Sequence, residues 1–142
     1  MMIIRLKATL AFFCFFIIGL LVFYFSAKEL IDYYRFYDEI IYSWLDFFAF
    51  LFSFVILLFS VYPGCVTFYG VPMSAEKSKS IYKIALIIFV MSLITPGIFS
   101  FVYVDKIESK GYIKCQGMPS GWMPGMATKY VINEKLCLKK DP

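Results

Sequence analysis

The chain has 142 residues, 61% of them hydrophobic and 21% aromatic, with a mean hydropathy of +0.77; an ordinary soluble domain is nearer half apolar, and one this small could not hide so much apolar surface from water. The net charge of +4 is scattered, with no basic tract interleaved with aromatics, so it argues against nucleic acid as a partner and for membrane lipids with anionic headgroups. The chain contains no histidine, which removes the commonest general base and the commonest transition-metal ligand together.

Three uncharged runs, 8–27, 47–75 and 84–104, each reach the roughly 20 residues needed to cross the hydrocarbon layer as a helix. They predict an α-helical membrane protein with three transmembrane helices in residues 1–104 and a small, partly β, extracytoplasmic C-terminal tail in residues 105–142. Arg5 and Lys7 before the first run imitate the positive end of a signal peptide. The run is too long for a signal core, however, and Tyr24 to Ala27 lead directly into charged sequence with no small-x-small site, so the expectation is an uncleaved anchor over about 8–27.

From Lys28 to Asp46 the charges Lys28, Asp32, Arg35, Glu39 and Asp46 recur at helical steps, with Leu30, Tyr34, Tyr37, Ile41 and Trp44 on the other face. This pattern predicts an amphipathic outer helix over 28–42, its aromatics in the headgroup zone. Such a helix either caps the two spans it joins or, given its net acidity, offers a surface for a partner, with Asp32 and Glu39 as candidate contacts. The second span, about 43–62, distributes its phenylalanines around the helix as lipid-facing bulk, and Asp46 lies shallow enough to reach water. Pro63 and Gly64 read as its stop. Residues 65–83 read as a loop carrying Lys77, Lys79 and Lys83, and the third span, about 81–103, contains Pro96, where a missing backbone donor predicts a kink.

Lys and Arg flanking the spans divide evenly between the two sides. The basic cluster before the first span favours a cytoplasmic N-terminus. So does the placement of the cysteines, because this topology puts Cys115 and Cys137 together in an oxidising, periplasm-like space and leaves Cys65 on the reducing side. The expected location is therefore a bacterial inner membrane, multi-pass, with the tail outside.

In the tail, 111–115 and 128–132 are β-prone segments between turn residues. A Cys115–Cys137 disulfide is expected to compensate for the lack of a core, contributing on the order of 3 kcal/mol by the chain-entropy model. Between the cysteines, Met118, Trp122, Met123 and Met126 stand among glycines and prolines. Trp122, Met123 and Met126 are the candidate contacts to a partner or to the bilayer interface. The tail from Asp105 onward holds seven lysines against four acids, and it is expected to dock on the acidic 28–46 segment.

No C-x-x-C pair, zinc ligand set, nucleophile elbow or phosphate loop is present, so the chain is expected not to be an enzyme and to use no cofactor. The segments Gly111-Tyr112-Ile113-Lys114-Cys115 and Lys129-Tyr130-Val131 before Cys137, with the chain length and the three spans, resemble a family of small enterobacterial inner-membrane proteins of unknown function. In topology the chain is also similar to three-span immunity proteins that protect bacteria from membrane-targeting toxins. That similarity implies a non-catalytic binding protein that neutralises a membrane-targeting or periplasmic toxin. The other classes are an accessory or structural subunit of an envelope complex and, given the thin polar inventory of Ser53, Ser60, Ser92 and Thr95 within the spans, a small transporter or channel.

Overall fold

The computed structural model describes residues 2–116 and 125–138. Three helices, α1 (Met2–Arg35), α2 (Trp44–Tyr69) and α3 (Ala75–Ser109), are long and apolar enough to cross a bilayer, as their uncharged centres require. At 1.5 Å per residue α1 and α3 extend to roughly 50 Å, well beyond a hydrocarbon layer of about 30 Å, so their polar ends project into the headgroup zones. Three strands, β1 (Glu39–Ser43), β2 (Ile113–Lys114) and β3 (Ala127–Val131), form one antiparallel sheet in the order β1-β3-β2, followed by a 3-10 turn at Glu134–Leu138.

Helix α2 is the middle of the bundle. Toward α1 the helices approach closely at Gly19, where an added Cβ would lie 2.7 Å from Leu57 Cδ2. Phe23 stacks on Phe50 at 5.3 Å between centroids. Toward α3 the contact is carried by Phe47, stacked on Phe99 at 4.5 Å, and by Phe52 against Phe89. Ser53, Ser60 and Ser92 are buried, and each donates its hydroxyl to a carbonyl one turn back on its own helix, at 2.6, 2.7 and 2.7 Å. These hydroxyls are satisfied inside their helices and leave only small side chains between neighbours, which suits close packing in a bilayer.

Several boundaries differ from the sequence reading, each for a physical reason. The expected amphipathic helix over 28–42 is two things. Residues up to Arg35 are the last turns of α1, and 39–43 form β1. Between them Phe36 takes φ 50°, a left-handed conformation that costs a bulky residue roughly 1–2 kcal/mol and stops the helix. The segment Ile40-Ile41-Tyr42 is rich in strand formers, and its helical periodicity gives way to pairing with β3. Pro63 and Gly64 do not end the second span. The helix runs on to Tyr69 and stops at Gly70, whose φ of 72° and N–H to the Val66 carbonyl (3.1 Å) make a left-handed cap. The connection to α3 is therefore residues 70–74 rather than 65–83, and Lys77, Lys79 and Lys83 sit on the first turns of α3. Pro96 is buried inside α3, which continues past it to Ser109.

The sheet lies at the end of the bundle where α1 and α3 finish and α2 begins. It draws β1 from the connection between the first two helices and β2 and β3 from the tail, so it spans both sides of residue 104. Cys115 and Cys137 form a disulfide across 22 residues of chain, tying the end of β2 to the 3-10 turn. Replacing both cysteines by alanine should lower the stability of the sheet end by about 3 kcal/mol while leaving the helices inserted. Limited proteolysis of the membrane-embedded protein, with cleavage in 113–138 rising and the helical core unaffected, is the measurement.

Candidate functional site

The sheet end is held together by tyrosines. Tyr33 from α1, Tyr103 and Ile107 from α3, Ile40 and Tyr42 from β1, Tyr130 from β3 and Tyr112 just before β2 form one buried cluster. A tyrosine can bury its ring and still hydrogen-bond at its tip, which suits a junction between apolar helices and a polar sheet. The Tyr33 hydroxyl accepts the Ser43 N–H at 3.0 Å and donates to the Asp46 carboxylate, fixing the entry to α2. Ser43 caps that helix, its hydroxyl accepting the Leu45 N–H at 3.2 Å. Tyr103 donates to the Tyr33 carbonyl at 2.7 Å, and the Tyr112 hydroxyl lies 2.9 Å from the carbonyls of both Phe36 and Tyr37. The strained turn at Phe36 is thus held by Tyr112 from below and by Lys110, whose Nζ sits 3.7 Å from the Phe36 ring centroid.

Asp32 and Glu39, both expected as partner contacts, come together. With Glu29, Tyr33, Tyr37, Ile40 and Ile41 they line a hollow of about 260 Å³ on the outer flank of the sheet end. Their roles differ. Glu39 Oε1 lies 2.8 Å from Lys129 Nζ, and Lys129 is 4% exposed, so this carboxylate serves the fold. Asp32 is 3.6 Å from the exposed Arg35, whose guanidinium also donates to the Tyr37 hydroxyl at 3.0 Å. Asp32 is half-buried, and the exposed Glu29 stands beside it on the hollow. The basic tail does meet the acidic segment, as expected from the charges, but strand to strand and through a buried lysine. Met126 lies half-buried in the turn leading into β3. Trp122 and Met123 lie outside the described residues.

Sequence reasoning missed Lys129 and Tyr33 as organisers of this region. Lys129 is surrounded by strand formers, and only alternation against Thr128 and Tyr130 could have placed it on one face of a buried strand. Glu29 was visible as an acid, one turn before Asp32 and Tyr33 on the same helical face. Among the described residues no group of three His, Cys, Asp or Glu side chains is arranged to hold a metal ion.

A family model described as protein of unknown function (DUF1240) matches residues 40–138, more than half of the chain. The chain belongs to this family. The matched stretch begins inside β1 and ends with the 3-10 turn, so it takes in all three strands, both disulfide cysteines, α2 and α3, and leaves α1 outside. No curated protein and no solved structure matches the chain.

The two acids of the hollow should separate on mutation. Glu39→Gln removes the charge that faces buried Lys129 and should cost about 1.5–3 kcal/mol, the range for a hydrogen bond to a charged group. Asp32→Asn, at an exposed pair, should cost no more than about 1 kcal/mol. Thermal unfolding of the sheet end, followed by protease susceptibility, distinguishes them.

Burial pushes the Tyr42 and Tyr130 hydroxyls above the ordinary tyrosine value, because the ionised form would be desolvated. The neutral form is therefore favoured by folding. Its stabilisation is complete below the unfolded pKa near 10 and is lost as pH rises toward the folded values. Tyrosinate absorbance should accordingly appear later than in a denatured control and coincide with loss of sheet structure by circular dichroism.

Proposed function

We propose that the protein is a non-catalytic, membrane-anchored binding protein whose working face is the disulfide-locked sheet end, and that it acts as an immunity protein neutralising a membrane-targeting or periplasmic toxin. The observation that carries this reading is the pairing of rigidity with an open acidic face. The strand pairing, the tyrosine cluster and the disulfide hold the scaffold, while the exposed Glu29 and the half-buried Asp32 line a hollow on its flank. A preorganised face of this kind binds at a reduced ordering cost, and its charge suits a basic surface on a protein partner.

The reading places the N-terminus in the cytoplasm and the sheet on the outer side of a bacterial inner membrane. The disulfide at the sheet end supports this, since such bonds persist in oxidising compartments, and the two free cysteines, Cys14 and Cys65, both lie within helices.

Co-expression with the product of the neighbouring gene tests the proposal. The wild-type chain should restore growth. The Glu29→Gln/Asp32→Asn double variant, at equal membrane level and with its disulfide intact, should restore it far less. Failure of the wild-type chain to protect against any candidate toxin would sink the immunity reading. Stoichiometric co-purification of a fixed envelope protein would replace it with the role of an accessory subunit.

A further inference from the structure

The end of the bundle away from the sheet is built in the opposite way. Helices α1 and α3 meet at the sheet end through Tyr33, Phe36 and Tyr103. At the far end the helices border an open cleft of about 1070 Å³ whose walls include Ala8, Ala11 and Phe15 of α1, Phe59, Tyr62 and Val66 of α2, and Tyr82 of α3. That volume is at the top of the roughly 300–1,000 Å³ range of small-molecule sites. Arg5 and Lys7 also line it. Arg5 is held in place, its Nε and Nη2 donating to the Thr67 carbonyl at the end of α2 at 3.3 and 3.1 Å.

A second, apolar hollow of about 310 Å³ shares Phe59 and Tyr82 with the first and continues between α2 and α3 along Phe52, Val55, Ala85 and Phe89. From Val66 to Phe52 the helical rise amounts to roughly 20 Å, more than the depth of one leaflet, which is about half of a 30 Å hydrocarbon layer. The surrounding charge is one-sided, with Lys77, Lys79 and Lys83 on the first turns of α3 and Glu76 as the acid among them.

We propose that this cleft is a binding site for one anionic glycerophospholipid, its phosphate on Arg5 and Lys7 at the rim and acyl chain in the trough between α1, α2 and α3. The juxtaposition selects that occupant. A soluble anion would use the cations and leave the apolar trough unfilled, a zwitterionic lipid would fill the trough and gain less from the cations, and an anionic lipid uses both. Basic pockets between transmembrane helices bind anionic headgroups in this manner. The site is independent of the partner face and holds for either orientation of the chain, since every leaflet presents headgroups to whichever end it meets.

Native mass spectrometry of the full chain released from detergent containing equimolar phosphatidylglycerol and phosphatidylcholine tests it. The wild type should retain one phosphatidylglycerol with a preference on the order of thirtyfold, the gain expected from two basic residues at the headgroup. Equal retention of the two lipids would overturn the proposal. Arg5→Gln/Lys7→Gln should abolish the preference, and an unchanged preference in that variant would also overturn it. Because Arg5 caps α2, a second variant keeps the test decisive: Ala11→Phe puts an aromatic ring in the trough where the acyl chain would lie and leaves both cations, and it should lose the bound lipid. Retention of phosphatidylglycerol by Ala11→Phe would place the lipid on the outer surface and reject the cleft.

Discussion

The antiparallel pairing of residues 39–43 with 127–131 is the constraint on which the rest of the structure depends. It joins the short connection between the first two helices to the far end of the tail, and so closes a chain of three antiparallel spans into one body. Without β1, β3 would have only the two residues of β2 to pair with, and a two-stranded ribbon of that size is marginal in water. Without β3, the connection from Arg35 to Trp44 would have no reason to leave its helix. Each segment supplies what the other lacks, and the tyrosines from the ends of α1 and α3 fill the space beneath them.

The two ends of the bundle are consequently different in kind. At the sheet end the helices converge, and their polar termini are satisfied by side chains: Ser43 caps α2, Tyr103 reaches the α1 backbone, and Tyr112 reaches the turn at Phe36. At the other end no sheet draws α1 and α3 together, and Arg5 performs the corresponding task for the last turn of α2 alone. A protein in water would collapse such a gap or fill it with side chains. In a bilayer the surrounding lipid can occupy it, so the splay carries no cavity penalty of the kind met in a soluble core.

Much of this was legible in the sequence. Three uncharged runs and a pair of cysteines in a polar tail were enough for the fold class and the disulfide, because the length needed to cross hydrocarbon is a property of composition alone. The boundaries were less accessible. The segment from Lys28 to Asp46 satisfies a helical repeat in its charges, yet β1 forms there because its partner lies far away in the chain, and no local pattern reports a distant partner. Pro63 was read as a stop by its local rule. Proline removes a single backbone donor, and a long apolar helix in a bilayer tolerates that loss, so α2 runs through Pro63 to Tyr69. The acidic hollow was half visible. Asp32 and Glu39 could be chosen by charge, but that Glu39 faces a buried cation and Asp32 an exposed one follows from the depth of Lys129.

That lysine also explains how so small a sheet keeps its register. On one face of β1 and β3, Ile40, Tyr42 and Tyr130 are committed to the tyrosine cluster, with Thr128 across from Tyr42. On the opposite face Ile41 stands across from Lys129, and Glu39 is its diagonal neighbour, close enough for the 2.8 Å contact. Sliding one strand by a single residue would carry Lys129 onto the tyrosine face, away from Glu39 and among aromatic rings that offer no carboxylate. A buried ion pair contributes little net stability over an apolar pair of the same volume, because both charges must leave water. Its value lies in the difference between registers. An apolar residue at position 129 would be accepted on either face, whereas a lysine there is accepted on one, and the strand pairing that everything else depends on is thereby made single-valued.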